Sequence, residues 1–173
     1  MTGMTPWFLT EFFNTHKGFK NMLEVGCRDV SQIDNIENIR QFIPQECKYT
    51  GIDMIGGKNV DLVLNGHDLL EHFGPDRFDL IVCFDTFEHD DKFWETWDNM
   101  VKVLKPLGYI VLGAPSRRTP LHEHPNDYWR FMEPSFRDIF FKDFQDVYIK
   151  VFYPIESNDN EIENAIYGWG QKR

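Results

Sequence analysis

The sequence predicts a doubly wound α/β domain, a mostly parallel seven-stranded sheet covered by helices and finished by an antiparallel edge strand. Three observations predict it. The stretch Met22-Leu23-Glu24-Val25-Gly26-Cys27-Arg28-Asp29-Val30-Ser31 reads as a short buried strand, a sharp turn at Gly26 and the opening of a helix. Strands and helices then alternate through the first five strands, as βαβ units do. The last two strands are separated only by a polar segment of Asn, Asp and Glu. That segment is too short and too polar for a helical crossover, so these strands pair antiparallel at one edge.

Each element has its own local signal. Thr5-Pro6 is an N-cap followed by proline at the first helical position, and Lys17-Gly18 ends that helix after the stripe Phe8, Leu9, Phe12, Phe13. Leu23 to Gly26 is the first strand. Ser31 caps a second helix, with Ile33, Ile36, Ile39 and Ile43 at helical spacing until Pro44. Tyr49 to Asp53 is the second strand, and Val60 to Leu64 follows the Gly56-Gly57 turn as the third. Leu69 to Phe73 leaves room for a short helix before Gly74-Pro75. Phe78 to Phe84 is almost continuously apolar and so belongs in the middle of the sheet. Asp90 or Asp91 caps a long helix whose Phe93, Trp97, Met100, Val101 and Leu104 form one apolar face. Pro106 to Gly108 turns into a fifth strand, Tyr109 to Ala114. Pro134 opens a helix bearing Phe136, Ile139 and Phe140, and Val147 to Tyr153 and Ala165 to Gly170 close the sheet.

With 173 residues the chain suits one domain spanning 1–173 with a well-buried core, rather than two. A net charge of −10 makes nucleic acid and anionic membranes poor partners and suits a cationic ligand better. No apolar run approaches the ~18 residues of a membrane span, and Glu11, Asn14 and His16 interrupt any signal-peptide pattern at the N-terminus. Cys27, Cys47 and Cys83 have no C-x-x-C spacing, which points to reduced thiols and a cytoplasmic setting.

Six segments, in order, carry a family resemblance. Leu23-Glu24-Val25-Gly26-Cys27 resembles the first, glycine-rich motif of class I S-adenosyl-L-methionine-dependent methyltransferases in their small single-domain form. Gly51-Ile52-Asp53 resembles the end of their second strand, and Leu64-Asn65-Gly66-His67-Asp68-Leu69 their adenine segment, usually written with Asp where Asn65 stands. Phe78 to Cys83 with Phe87-Glu88-His89 is similar to the fourth-strand motif and its Glu-His ending. Val103 to Tyr109 is similar to the Leu-Lys-Pro-Gly-Gly turn, and Tyr167 to Lys172 to the final strand. The resemblance runs from about Leu23 to Lys172. It implies a Rossmann-like methyltransferase fold, S-adenosyl-L-methionine as cofactor, and a small or glycan acceptor. One departure stands out: the family's second and third glycines fall at Arg28 and Val30, where side chains would crowd the cofactor. Arg28 would otherwise meet the cofactor's carboxylate as a bidentate partner.

These motifs nominate the site residues, each beside a plainer use. Asp53 comes twenty-three residues after Val30, close to the ~20-residue spacing at which a second-strand acid meets a ribose diol; its plainer use is capping the next turn. Glu24 either reaches the cofactor's amino group or orders the turn, and Gly26, Cys27 and Arg28 form that turn. Asn65 and Gly66 face adenine or simply turn the chain. Met54 and Phe84 sandwich the base or belong to the core. Methyl transfer needs alignment, and a base only when the acceptor must lose a proton. The candidates are Glu88, His89, His122 and His124. The loop from Pro115 to Glu133 is dense in His, Pro, Arg and aromatics, and long loops of this kind are usually functional. It resembles a His-x-x-Pro-x-Asp-Tyr-(Tyr/Trp)-Arg-Phe stretch of small methyltransferases associated with sugar or surface-glycan modification. Asp127, Tyr128 and Arg130 are therefore candidate acceptor contacts, against a rigid cap in which Asp127 pairs with Arg130. No metal site is expected: His122-x-His124 with Glu123 and Asp127 has no third ligand at fixed spacing. The alternative to an enzyme is a non-catalytic binding protein on the same scaffold, motivated by Arg28 and Val30.

Overall fold

The structure is a computed structural model that describes residues 5–29, 39–117, 119–122, 126–152 and 165–173. Its strands are β1 (Asn21–Val25), β2 (Lys48–Asp53), β3 (Leu62–Val63), β4 (Phe78–Phe84), β5 (Leu104–Pro115), β6 (Phe144–Phe152) and β7 (Ala165–Lys172). They form one sheet in the order β3-β2-β1-β4-β5-β7-β6. Pairing is parallel from β3 across to β5 and antiparallel where β7 enters between β5 and β6. The predicted antiparallel pair therefore stands at one edge. The chain order reverses direction between β1 and β4, the switch point at which open α/β sheets bind ligands.

Both faces of the sheet are covered, as a central parallel sheet requires. On one face α1 (Thr5–Thr15) presses Phe8, Leu9 and Phe12, all fully buried, onto Met22, Leu80, Val82, Val111, Tyr167 and Trp169. The opposite face takes Leu23, Val25, Ile81, Cys83, Ile110 and Leu112 under α2 (Leu69–Phe73), α3 (Phe93–Val103) and the Phe-rich segment after α4 (Glu133–Ser135). Alternation along β4 decides which side chain goes where. Gly168 and Gly170 lie where Phe136, Phe141 and Phe144 pack: a Cβ at Gly170 would stand 2.7 Å from the Phe141 ring. Their missing side chains let that aromatic layer touch β7.

Several local expectations shift: β5 begins at Leu104 and takes in Pro106 to Gly108, which the sequence reads as a turn, and a short 3-10 helix over Ile39–Phe42 stands where the second helix is expected to run on to Pro44. The third strand pairs over Leu62–Val63 alone, because Asn59 turns at φ 72° and the Asp61 carboxylate binds the Gly51 N–H at 2.8 Å and the Arg40 guanidinium. Helix α3 is capped at Lys92, not at Asp90 or Asp91; Asp90 instead accepts the Lys92 N–H at 2.9 Å from outside the helix. The helix opened by Pro134 widens into a π-type turn over Phe136–Phe140. Val30, Ser31, Ile33, Ile36, Glu123, His124 and Tyr153 lie outside the described residues. Cys27, Cys47 and Cys83 are buried free thiols. Among the described residues no helix is long and apolar enough to cross a membrane.

Candidate active site

A cleft opens at the carboxyl ends of β1, β2 and β4. Its floor is Gly26, held at φ 76°, with the Gly26 and Cys27 N–H groups both donating to the Ile52 carbonyl. A Cβ at Gly26 would meet Thr86 Oγ1 at 2.0 Å, so both the backbone angle and the space demand glycine. Thr86 ties the ends of two strands together, donating to the carbonyls of Phe84 (2.9 Å) and Val25 (3.3 Å).

Arg28 does not fill the hollow. Its Cγ and Cδ lean on Gly57, 3.2 Å from where a Cβ would stand, and its Nε lies 3.8 Å from Asp53 Oδ1. A cavity of about 220 Å³ remains between Gly26, Arg28, Asp53, Asn65 and His89. The Asp53 carboxylate accepts the N–H groups of Arg28 (3.2 Å) and Ile55 (2.9 Å) while facing the cleft. Asn65 Oδ1 accepts the His67 N–H at 3.0 Å. Gly66 lies tight against Thr96, which a Cβ would approach to 2.6 Å. Met54, 64% exposed, forms the rim.

Three of the residues nominated for the cofactor stand elsewhere. Glu24 accepts a hydrogen bond from the Tyr49 hydroxyl, and burial pushes its carboxyl up to about 7. Cys27 Sγ donates to the Asn59 carbonyl at 3.3 Å, and burial raises the thiol to about 12. Phe84 packs against Tyr167, ring centres 5.9 Å apart, on the α1 side. None of the three lines the cleft.

Ile55, Thr86, Asp90, Asp91 and Thr96 also line the cleft and belong to none of the quoted motifs. Asp90 is the hub: its carboxylate takes His67 Nε2 at 3.0 Å, Thr96 Oγ1 at 2.6 Å and the Lys92 N–H. Its position just past the Glu88-His89 ending was the available signal.

At the His89 end the described residues of the loop from Pro115 to Glu133 lie against the segment that follows β4. The Tyr128 N–H donates to the Glu88 carbonyl at 2.7 Å, and the Phe131 N–H to that of Pro115 at 3.0 Å. The Glu88 side chain is completely buried, and neither carboxylate oxygen has a hydrogen-bond partner among the described residues. His89 Nε2 stands 3.7 Å and His122 Nε2 3.6 Å from Glu88 Oε1. The Glu88 carboxylate beside it lifts His122 to about 9. Asp127 and Arg130 tie the described residues Thr119, Pro120 and His122 to the later part of the loop. Arg130 clamps the buried Asp127 carboxylate with both terminal nitrogens, and Nη2 also reaches the Pro120 carbonyl at 2.9 Å. Asp127 Oδ2 accepts the His122 N–H at 2.8 Å, and the Arg130 guanidinium holds its carboxyl down at about 2. Tyr128 is 48% exposed, its hydroxyl accepting from Asn126 Nδ2 at 2.8 Å.

A glycine-floored cleft at the switch point of a seven-stranded sheet defines a nucleotide-type cofactor fold. Residues 7–145 match the family described as methyltransferase domain, so the chain belongs to the methyltransferase family, whose class I members use S-adenosyl-L-methionine as methyl donor. The fold is similar to that of a SAM-dependent methyltransferase from Archaeoglobus fulgidus (TM-score 0.72, 14% identity, 98% of this chain and 93% of that one). It is similar too to the Burkholderia thailandensis 1,6-didemethyltoxoflavin-N1-methyltransferase with bound S-adenosylhomocysteine (0.71, 14%, 98% and 77%). A third likeness is the N-methyltransferase NodS from Bradyrhizobium japonicum (0.64, 18%, 96% and 93%). No curated protein matches the chain.

Proposed function

We propose that this chain moves the methyl group of S-adenosyl-L-methionine to a small acceptor, with a sugar or glycan hydroxyl as the acceptor class. The observation that carries the reading is the open cleft between the Gly26 floor and the Asp53 carboxylate, with Arg28 turned aside. Two N–H groups use part of the Asp53 carboxylate, which offers about four acceptor positions, so ribose hydroxyls find the rest. Met54 and Asn65 flank the place for the adenine, and Arg28 is the partner for the donor's carboxylate. The bound donor supplies an activated methyl carbon. The chain's own task is to align the acceptor and exclude water. Glu88, His89 and His122 stand at the cleft's far end, where an acceptor hydroxyl would give up its proton, and Tyr128 and Trp129 offer faces for a ring. The Burkholderia enzyme's bound 1,6-didemethyltoxoflavin favours a small acceptor here as well. Asp127 and Arg130 serve that acceptor indirectly, by holding the loop.

Calorimetric titration with S-adenosylhomocysteine tests the cofactor reading: saturable binding is expected, and no heat at millimolar ligand would sink it and favour the non-catalytic alternative. Turnover of S-adenosyl-L-methionine against a panel of monosaccharides, glycans and amines tests the acceptor; methylation of amines alone overturns the hydroxyl assignment.

A further inference from the structure

We infer that Glu88, His89 and His122 form a binding site for one divalent transition-metal ion of the zinc, cobalt or iron class, at the acceptor end of the cleft. Each residue offers one ligand atom, and the three atoms lie within 4.8 Å of one another. The set is two imidazoles and one carboxylate, which suits borderline transition ions better than magnesium or calcium.

Three observations support it. The carboxylate is wholly buried, yet neither oxygen has a hydrogen-bond partner among the described residues. Burying an ionised group without such partners is costly, so a buried orphan of this kind asks for an occupant. The spacing suits an ion. A charged imidazole–carboxylate hydrogen bond closes to about 2.7–2.9 Å, but these N···O distances are 3.6 and 3.7 Å. Two bonds of about 2.1 Å reach across as much as about 4.2 Å, so an ion fits between each ring and the carboxylate.

The outer contacts are those that metal-binding histidines need. His89 Nδ1 meets the Asn126 carbonyl at 2.5 Å, and His122 Nδ1 meets the Pro120 carbonyl at 3.3 Å. A carbonyl can only accept, so each Nδ1 carries a proton, and Nε2 is the atom that would bind an ion on losing its own. The rings meet edge to face at 5.0 Å. The loop carrying His122 is fixed by the buried Asp127–Arg130 pair, and Glu88 and His89 follow directly on the end of β4. Supports held by buried contacts are what a metal site requires. Three protein ligands leave coordination positions open, and His89 lines the cleft, so those positions adjoin the acceptor space. There the ion would hold and polarise an acceptor oxygen. That use rests on the methyl-transfer reading; the binding does not.

The test is titration of chelator-stripped full-length protein with cobalt(II), followed by visible absorption and calorimetry. One cobalt per chain with ligand-field bands is expected. Glu88→Gln and His122→Gln should each weaken binding by at least about tenfold, with the circular dichroism spectrum and urea midpoint retained as evidence of folding. No cobalt binding at millimolar concentration overturns the site, as does unchanged affinity in both variants. S-adenosylhomocysteine titration of the same sample separates the readings: cofactor binding without cobalt sinks only the metal site, and cobalt binding without the cofactor sinks only the methyl-transfer reading.

Discussion

At Asp53 a single carboxylate both closes the turn after β2 and faces the cleft, through the N–H groups of Arg28 and Ile55. Asp53→Asn keeps one acceptor oxygen but loses the charge. A charge-assisted hydrogen bond contributes about 1.5–3 kcal/mol. S-adenosylhomocysteine affinity should therefore fall about 10- to 100-fold, read by calorimetry, while the fold survives. Glu24 behaves differently. Burial raises its carboxyl from 4.5 to about 7, with the Tyr49 hydroxyl as its partner. The folded chain thus keeps a proton that the unfolded chain releases above pH 4.5, and its share of stability is fully present below that pH. It is lost as pH rises towards 7, by about 3 kcal/mol in all. Urea titrations at pH 5 to 8 should show this decline in the wild type, and Glu24→Gln should flatten it.

Among the elements, what could be read from sequence was what local pattern decides. The near-continuous burial of β4, the glycine turn at Gly26 and the polar break before β7 each appear in neighbouring residues, and so does the pairing of Asp127 with Arg130 three positions on. Val60 to Leu64 looked like a strand because its apolar residues alternate. Only the positive φ at Asn59 and the Asp61 contacts to Gly51 and Arg40 show why two residues suffice. The Glu88–His89–His122 cluster was hidden for another reason: it exists only because described residues of a long loop lie against the segment that follows β4. Spacing sets His122 beside His124, whereas the structure sets it beside Glu88 and Asp127. That loop hangs on Asp127, whose carboxylate is almost fully buried against Arg130 and the His122 N–H. Asp127→Asn removes the counter-charge from a guanidinium that is only 16% exposed. Breaking such a pair costs about 3 kcal/mol. The urea midpoint should fall accordingly, and amide exchange should rise most in the segment around Tyr128 and Phe131.

For the molecule as a whole, the sheet makes a link between cofactor and stability unavoidable. The cleft is built from the ends of β1, β2 and β4 and from the segments after β3 and β4, so a ligand seated there touches the strands that hold both core layers. A ligand that binds only the folded chain adds stability by mass action, about 2.7 kcal/mol at a hundred times its Kd. For a chain of 173 residues each kcal/mol moves the melting point by about 2–4 °C. Saturating S-adenosylhomocysteine should then raise Tm by about 5–10 °C. In Asp53→Asn, at the same ligand concentration, the shift should shrink roughly in proportion to the logarithm of its lost affinity. In Glu24→Gln it should persist, because Glu24 binds Tyr49 and does not line the cleft. A wild-type melting point that ignores the ligand would mean that the hollow beside Gly26 does not hold an adenosyl group. A shift of equal size in wild type and Asp53→Asn would mean that the ligand binds away from the end of β2.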